Sequence, residues 1–170
     1  MANNLNVISD MKQVILRSIL SDEDIVKILR NSHNVQVPDI QLRYTQVFPW
    51  MRTFETVEEA KSFITFEVAV TRVQNCAVRE FELRIYIMTH ESLMLMNGQV
   101  CGELGLDASD CGTRIDVLAD KIDYLINGSE ELGFGKIELI ASPPFTPAEK
   151  FLGRILVYHV EGWNRWGEKL

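Results

Sequence analysis

The sequence is short of the features that mark the common chemistries. There is no GxxxxGK[ST] loop to cradle a phosphate, and Gly133-Phe134-Gly135 lacks the third glycine of a dinucleotide fingerprint, so it reads as a turn. No Gly-x-Ser-x-Gly elbow presents a nucleophile. Histidine is limited to His33, His90 and His159, none of them in HExxH or CxxC company. The cysteines, Cys76, Cys101 and Cys111, are odd in number and lack metal spacing. Cys101 and Cys111 could bridge a short loop in an exported protein, but reduced thiols are the expected state. No apolar run approaches the roughly 18–20 residues of a membrane span. The opening MANNLNVISDMKQ has no basic stretch before an apolar core, so no secretory signal is expected. Low-complexity tracts are missing too. Basic charge is in deficit: the formal net charge is −7, which argues against a general nucleic-acid binder, because phosphate contacts need clustered Lys and Arg.

What remains is a chain able to fold. Its 170 residues are 46% hydrophobic, enough for one domain with a real core. The best-marked stretch is Thr113 to Gly128, where Ile115, Leu118, Ala119, Ile122, Leu125 and Ile126 recur at helical spacing. Thr113 can cap its start with Asp116 in the reciprocal position, and Asn127-Gly128 supplies a left-handed stop. Asp116, Asp120, Lys121 and Asp123 take the wet face.

Residues 7–30 read as two helical pieces within an N-terminal helical segment, 1–34. Met11, Val14, Ile15 and Ile19 share a face, and Ser21-Asp22-Glu23-Asp24 restarts the helix. His33 falls in the polar turn that follows. IQLRYTQVF, between Pro38 and Pro49, has strand composition. It leads into an apolar knot, Val47, Phe48, Trp50 and Met51, read either as a plug for the core or as a partner contact. TVEEA, from Thr56, could open a short helix. Two long alternating runs then predict an antiparallel hairpin around Gln74-Asn75. Ile64, Phe66, Val68 and Val70 are the expected buried set of the first, and Phe81, Leu83, Ile85 and Ile87 of the second. Residues 88–112, rich in glycine and methionine, have no clean period beyond a possible short helix at 91–96. They are expected as a long loop or insertion, for which ordering on assembly would fit, so that removing 92–110 leaves folding intact and impairs assembly.

After the central helix, KIELIAS is a strand with Ile137 and Leu139 inward, SPPFTP a proline-stiffened connection, and FLGRILVYHV a strand that is either central in the sheet or covered on both faces. Strands in pairs predict an α+β domain over 1–170: an antiparallel (mixed) sheet with a long hairpin and helices packed on one face.

Candidate chemistry is thin. His90-Glu91 are adjacent and do not converge without a bend. His159 reads as a hydrogen-bonded strand histidine, and the Asp116, Asp120 and Asp123 ridge as a solvated face. Arg114 stands against the dipole at the helix start, so its placement points to a contact, with Asp116 beside it.

Gly112-Thr-Arg-Ile-Asp116, Leu118 to Leu125, Leu132-Gly-Phe-Gly135 and Phe151-Leu-Gly-Arg154 through Trp163-Asn164 together resemble the tail terminator and tail-completion (neck) proteins of tailed bacteriophages and contractile particles. The resemblance implies a virion protein that forms a homo-oligomeric ring, usually of six. Such a ring ends the tail tube, meets sheath and head-connector proteins, and lets DNA through its lumen without specific binding. It implies no catalysis, cofactor, metal or membrane. Phe48, Trp50, Arg114, Asp116, Phe145 and Trp163 are the candidate subunit or partner contacts. Two other readings stay open: a different particle component (head-completion adaptor, tube or baseplate protein), or a small-molecule-binding α+β protein or enzyme with a pocket between helix 114–126 and the sheet, using His90 or His159.

Overall fold

The computed structural model describes residues 6–52, 59–73, 78–107, 109, 111–129 and 135–163. The two N-terminal helices form as expected, α1 over Asn6–Ser21 and α2 over Glu23–Arg30. Asp22, rather than Ser21, is the cap between them: its carboxylate accepts from the Ile25 amide at 2.9 Å. Asn31 ends α2 in the left-handed region, φ 51°. Met11, Ile15, Ile19, Ile25 and Ile28 are fully buried.

The long hairpin is present as β2, Ser62–Val73, and β3, Val78–His90. They pair antiparallel from Ser62 opposite Thr89 to Val73 opposite Arg79, with an irregularity between Val70 and Arg72. The Gln74-Asn75 turn and the TVEEA start lie outside the described residues. β8, Phe151–Trp163, runs antiparallel along the whole of β3. On its other edge sit β6, Ile137–Ala141, and β7, Pro144–Ala148. β8 is therefore central in the sheet, as one of the two sequence readings had it; the helices cover only one of its faces. β1, Val47–Phe48, adds to β2 in parallel and makes the sheet mixed.

The central helix α4 spans Arg114–Ile126, with Thr113 as cap and Gly128 at φ 72° just beyond it. Leu118, Ala119, Ile122 and Ile126 are buried as expected, and so are Val117 and Arg114. α1, α2 and α4 lie on one sheet face. There Ile64, Phe66, Val68, Phe81, Leu83, Ile85, Ile87, Leu156, Tyr158 and Val160 join the helices in one core. Val70, expected in this set, is 40% exposed beside the irregularity between Val70 and Arg72, while its cross-strand partner Phe81 stays in the core. The architecture is α+β.

Three segments depart from expectation. IQLRYTQVF is mostly not strand. Asp39 accepts from the Gln41 amide at 3.0 Å and turns Ile40–Leu42 into a 3-10 turn, and Tyr44 takes φ 64°. Thr45 Oγ1 donates to the Gln41 carbonyl at 2.6 Å, so local side-chain bonds replace the ladder until Val47. SPPFTP is more than a connection: β7 is an edge strand opened by Pro144, with Pro147 in the irregularity between Phe145 and Ala148, positions where a sheet tolerates a residue without an N–H.

The largest departure is 88–112, which is a folded insert. A 3-10 turn at Glu91–Leu93 precedes β4, Leu95–Met96, which pairs with β5, Gly112–Thr113. Between them α3, Gly98–Leu104, is capped by Asn97, whose side chain accepts from Val100 N at 3.0 Å. Met96, Cys101, Leu104 and Leu106 are in the main core. Gly105 ends α3 at φ 67°, and the His33 ring occupies the space its Cβ would need. His33 is thus exposed, as expected, but leans on the insert, with Nδ1 3.3 Å from the Leu104 carbonyl.

Candidate functional site

Strand alternation leaves a second sheet face, and among the described residues no helix covers it. At one end it is aromatic. Phe48, Phe63, Met88 and Phe151 form a small buried cluster, with Tyr86, Phe145 and Ala148 packed against it. Phe63 and Phe151 lie 6.0 Å apart, and Tyr86 meets Phe145 edge to face at 5.7 Å. Gly153 makes this packing possible. A Cβ there would run into the Phe145 ring and come within 2.7 Å of the Ile87 carbonyl oxygen.

The VFPWM knot forms the rim of this cluster. Trp50 packs against Tyr44 at 5.2 Å and edge-on to Phe48 at 5.5 Å. Arg43 lies over the Tyr44 ring and Arg52 over the Phe48 ring, each at 4.7 Å. Tyr44, Trp50 and Met51 remain 44%, 44% and 50% exposed. The knot divides: Phe48 plugs the sheet, as one reading had it, and Trp50 and Met51 stand outside it. Its base is rigid, because the buried Gln46 amide donates to Leu29 O at 2.8 Å and to Ser62 O at 2.9 Å.

Farther along the same face the sheet becomes charged. Register sets Glu67 opposite Arg84, and His159 between Glu82 and Glu138. Arg84 meets Glu82 at 2.6 Å, and hydrogen bonds to Tyr86 and Glu82 hold its guanidinium above the ordinary value. Glu138 is held below the usual carboxylate range by its hydrogen bond to Lys136 and by that cation's charge, with His159 contributing less.

Phe48, Trp50 and Phe145 are thus brought to one face. Trp163 closes β8 opposite Val78, and its side chain lies outside the described set. Arg114 and Asp116 are elsewhere, in the helix layer. Arg114 is 2% exposed, with Nε donating to Leu93 O at 2.8 Å, Nη1 to Ile28 O at 2.9 Å and Nη2 to Asn31 Oδ1 at 2.8 Å. The cation that opposes the dipole of α4 sits on the carbonyl end of α2, where positive charge is favourable. Burial pushes its pKa down. So placed, it has no surface to offer a neighbouring subunit. Asp116 is half-exposed and pairs with Arg154, 2.8 Å from its Nε, which ties the start of α4 to β8.

The other sequence candidates do not converge. His90 caps its own 3-10 turn, hydrogen-bonding Ser92 and standing edge-on to Phe151 at 5.3 Å. Asp123 accepts from the Tyr158 hydroxyl at 3.1 Å, while Asp120 is exposed. Burial, followed by Asp123, raises the Tyr158 pKa far above the usual phenol value. No group of three or more His, Cys, Asp or Glu able to hold a metal ion occurs among the described residues. No helix there is long and apolar enough to cross a membrane. Sequence reasoning missed Tyr44 and Tyr86. Tyr86 was legible as the one aromatic on the outward-facing set of its strand.

A family model, YomW, matches residues 22–160. The chain belongs to the YomW family. The matched span runs from the cap of α2 to Val160 in β8, so the uncovered sheet face and the 88–112 insert both fall inside it. The YomW name points to prophage-derived proteins and agrees with a phage origin, without assigning a place in a particle. A comparison with curated proteins finds no match.

Proposed function

We propose that this chain is a structural subunit of a tailed-phage particle, a tail terminator or neck protein that closes into a ring on the end of the tail tube and joins it to the head connector. The observation that carries the reading is the uncovered aromatic end of the sheet, rimmed by Trp50, Met51 and Tyr44. Half-exposed aromatics beside buried ones on a rigid base are the anatomy of an interface anchor. A ring repeats one heterologous contact around an axis, so a single such patch per subunit, meeting a different surface on the next copy, suffices to close it. The resemblance in residues 112–164 and the prophage character of the family name support the setting. In this reading six copies form the ring, tube and sheath proteins lie on one side and connector proteins on the other, and DNA passes through the lumen. The net charge of −7 suits such a lumen, since like charge shortens the residence of DNA. The subunit turns over no substrate and needs no cofactor. Its site of action is the virion, after assembly in the host cytoplasm.

The test is assembly. The purified chain is mixed with a tail-tube protein from the same phage or prophage, and tube ends are imaged while native mass spectrometry counts subunits. Capped tubes of uniform length and a closed ring are expected. The paired change Trp50→Ala and Met51→Ser removes exposed side chains, so it should leave the monomer folded and abolish the caps. Tubes that grow equally long with and without the protein overturn the reading.

A further inference from the structure

We infer that Cys101 and Cys111 form a reversible thiol–disulfide site, a staple between α3 and the entrance of α4 that is closed by a disulfide-class oxidant such as oxidised glutathione. Both residues are held as thiols, with their sulfurs 3.7 Å apart. Cys101 is buried on α3 and Cys111 is exposed just before β5. A disulfide needs about 2.05 Å between sulfurs. The remaining approach falls to the Cys111 side chain, which is exposed, while Cys101 is fixed in the core. The pair combines an accessible thiol that meets the oxidant with a sheltered one that resolves it.

The buried Arg114 cation is the second observation. Its charge is coupled to Cys101: burial pushes the guanidinium pKa down, and a negative sulfur at Cys101 pushes it back up. The Cys101 sulfur thus stands within the field of a buried cation. Cys111, as thiolate, attacks one sulfur of oxidised glutathione. That disulfide breaks, one glutathione thiolate leaves, and Cys111 carries a mixed disulfide. The Cys101 thiolate then attacks the Cys111 sulfur and expels the second glutathione thiolate. The two protein thiols have given up two protons and two electrons, and the oxidant has become two reduced glutathiones. The closed loop fixes the middle of α3 against the start of β5, and it narrows the unfolded ensemble.

The full chain is equilibrated in glutathione buffers of increasing oxidised fraction, quenched in acid, alkylated and peptide-mapped. A Cys101–Cys111 cross-link is expected, with a mass lower by two hydrogens and full reversal by dithiothreitol. The oxidised protein should melt about 5–10 °C above the reduced one. Cys111→Ser, at an exposed position, should keep the reduced melting temperature and lose both effects. Cys76→Ser should keep both, which separates the pair from the third cysteine. The inference is overturned if Cys111 stops at the glutathione mixed disulfide while Cys101 stays alkylatable, or if the mapped bridge uses Cys76.

Discussion

Arg114 shows how one side chain can carry a structural decision. Its three hydrogen bonds join the start of α4 to the carbonyl end of α2 and to Leu93 in the insert. Hydrogen bonds to a charged group contribute roughly 1.5–3 kcal/mol each, offset here by the cost of burying the cation. Arg114→Met should therefore destabilise by roughly 2–4 kcal/mol in urea titration; a loss under about 1 kcal/mol would return the residue to the pool of subunit contacts. Asp39 carries the acid sensitivity. The hydrogen bond and charge of Arg30 hold its carboxyl below the usual range, with Nε 2.5 Å from Oδ2. A depressed folded-state pKa means that this contribution is complete above the unfolded value, about 4, and is lost as pH falls through the lower folded value. Asp39→Asn should flatten the stability profile below about pH 4 when unfolding is followed by circular dichroism. Gly153→Ala should cost roughly 1–3 kcal/mol by overpacking. Phe145→Leu should rescue it only in part, because the Ile87 carbonyl also crowds the site.

At the scale of elements, legibility tracked the range of the forces. α4 was readable from Thr113 to Gly128 because its cap, stripe and stop are all local. β2, β3 and β8 were readable because alternation over a dozen residues leaves one register for the buried face. The insert was not. Its short pieces carry no repeat, and Met96, Cys101 and Leu104 gain their meaning only when the helix layer closes over them. A fully buried aliphatic side chain is worth roughly 1.5–3 kcal/mol, and a domain's net stability is about 5–15 kcal/mol. Deleting 92–110 should therefore yield an unfolded or aggregated chain, in place of the folded, assembly-deficient one the sequence suggested. Native cooperative melting in that deletion would show the insert to be dispensable. IQLRYTQVF misled for a related reason: β propensity describes a fit to neighbours, and Asp39 and Thr45 gave this backbone closer partners.

At the scale of the molecule, the two sheet faces divide the work. One is filled by α1, α2 and α4, and the other ends in an aromatic surface with Trp50 and Met51 at its rim. If that surface is the ring contact, adding negative charge at its centre should weaken assembly without unfolding the subunit. Tyr86→Asp, at a half-buried site, should slow ring formation at least tenfold in sedimentation velocity while far-ultraviolet circular dichroism stays unchanged. The same loss from Asp120→Lys, on the helix side, would move the contact to the other face.

The sequence by itself determined the α+β class, the central helix, the long hairpin and the interior place of β8, because periodicity and capping act over a few residues. It also held the candidates Phe48, Trp50 and Phe145. Only the tertiary structure decided that these three share a face with Tyr86 while Arg114 is locked inside the helix layer, and that Cys101 meets Cys111. The physical reason is common to all three. Strand register and helix packing set which side chains meet across long stretches of chain, and burial cancels or reveals what composition leaves ambiguous.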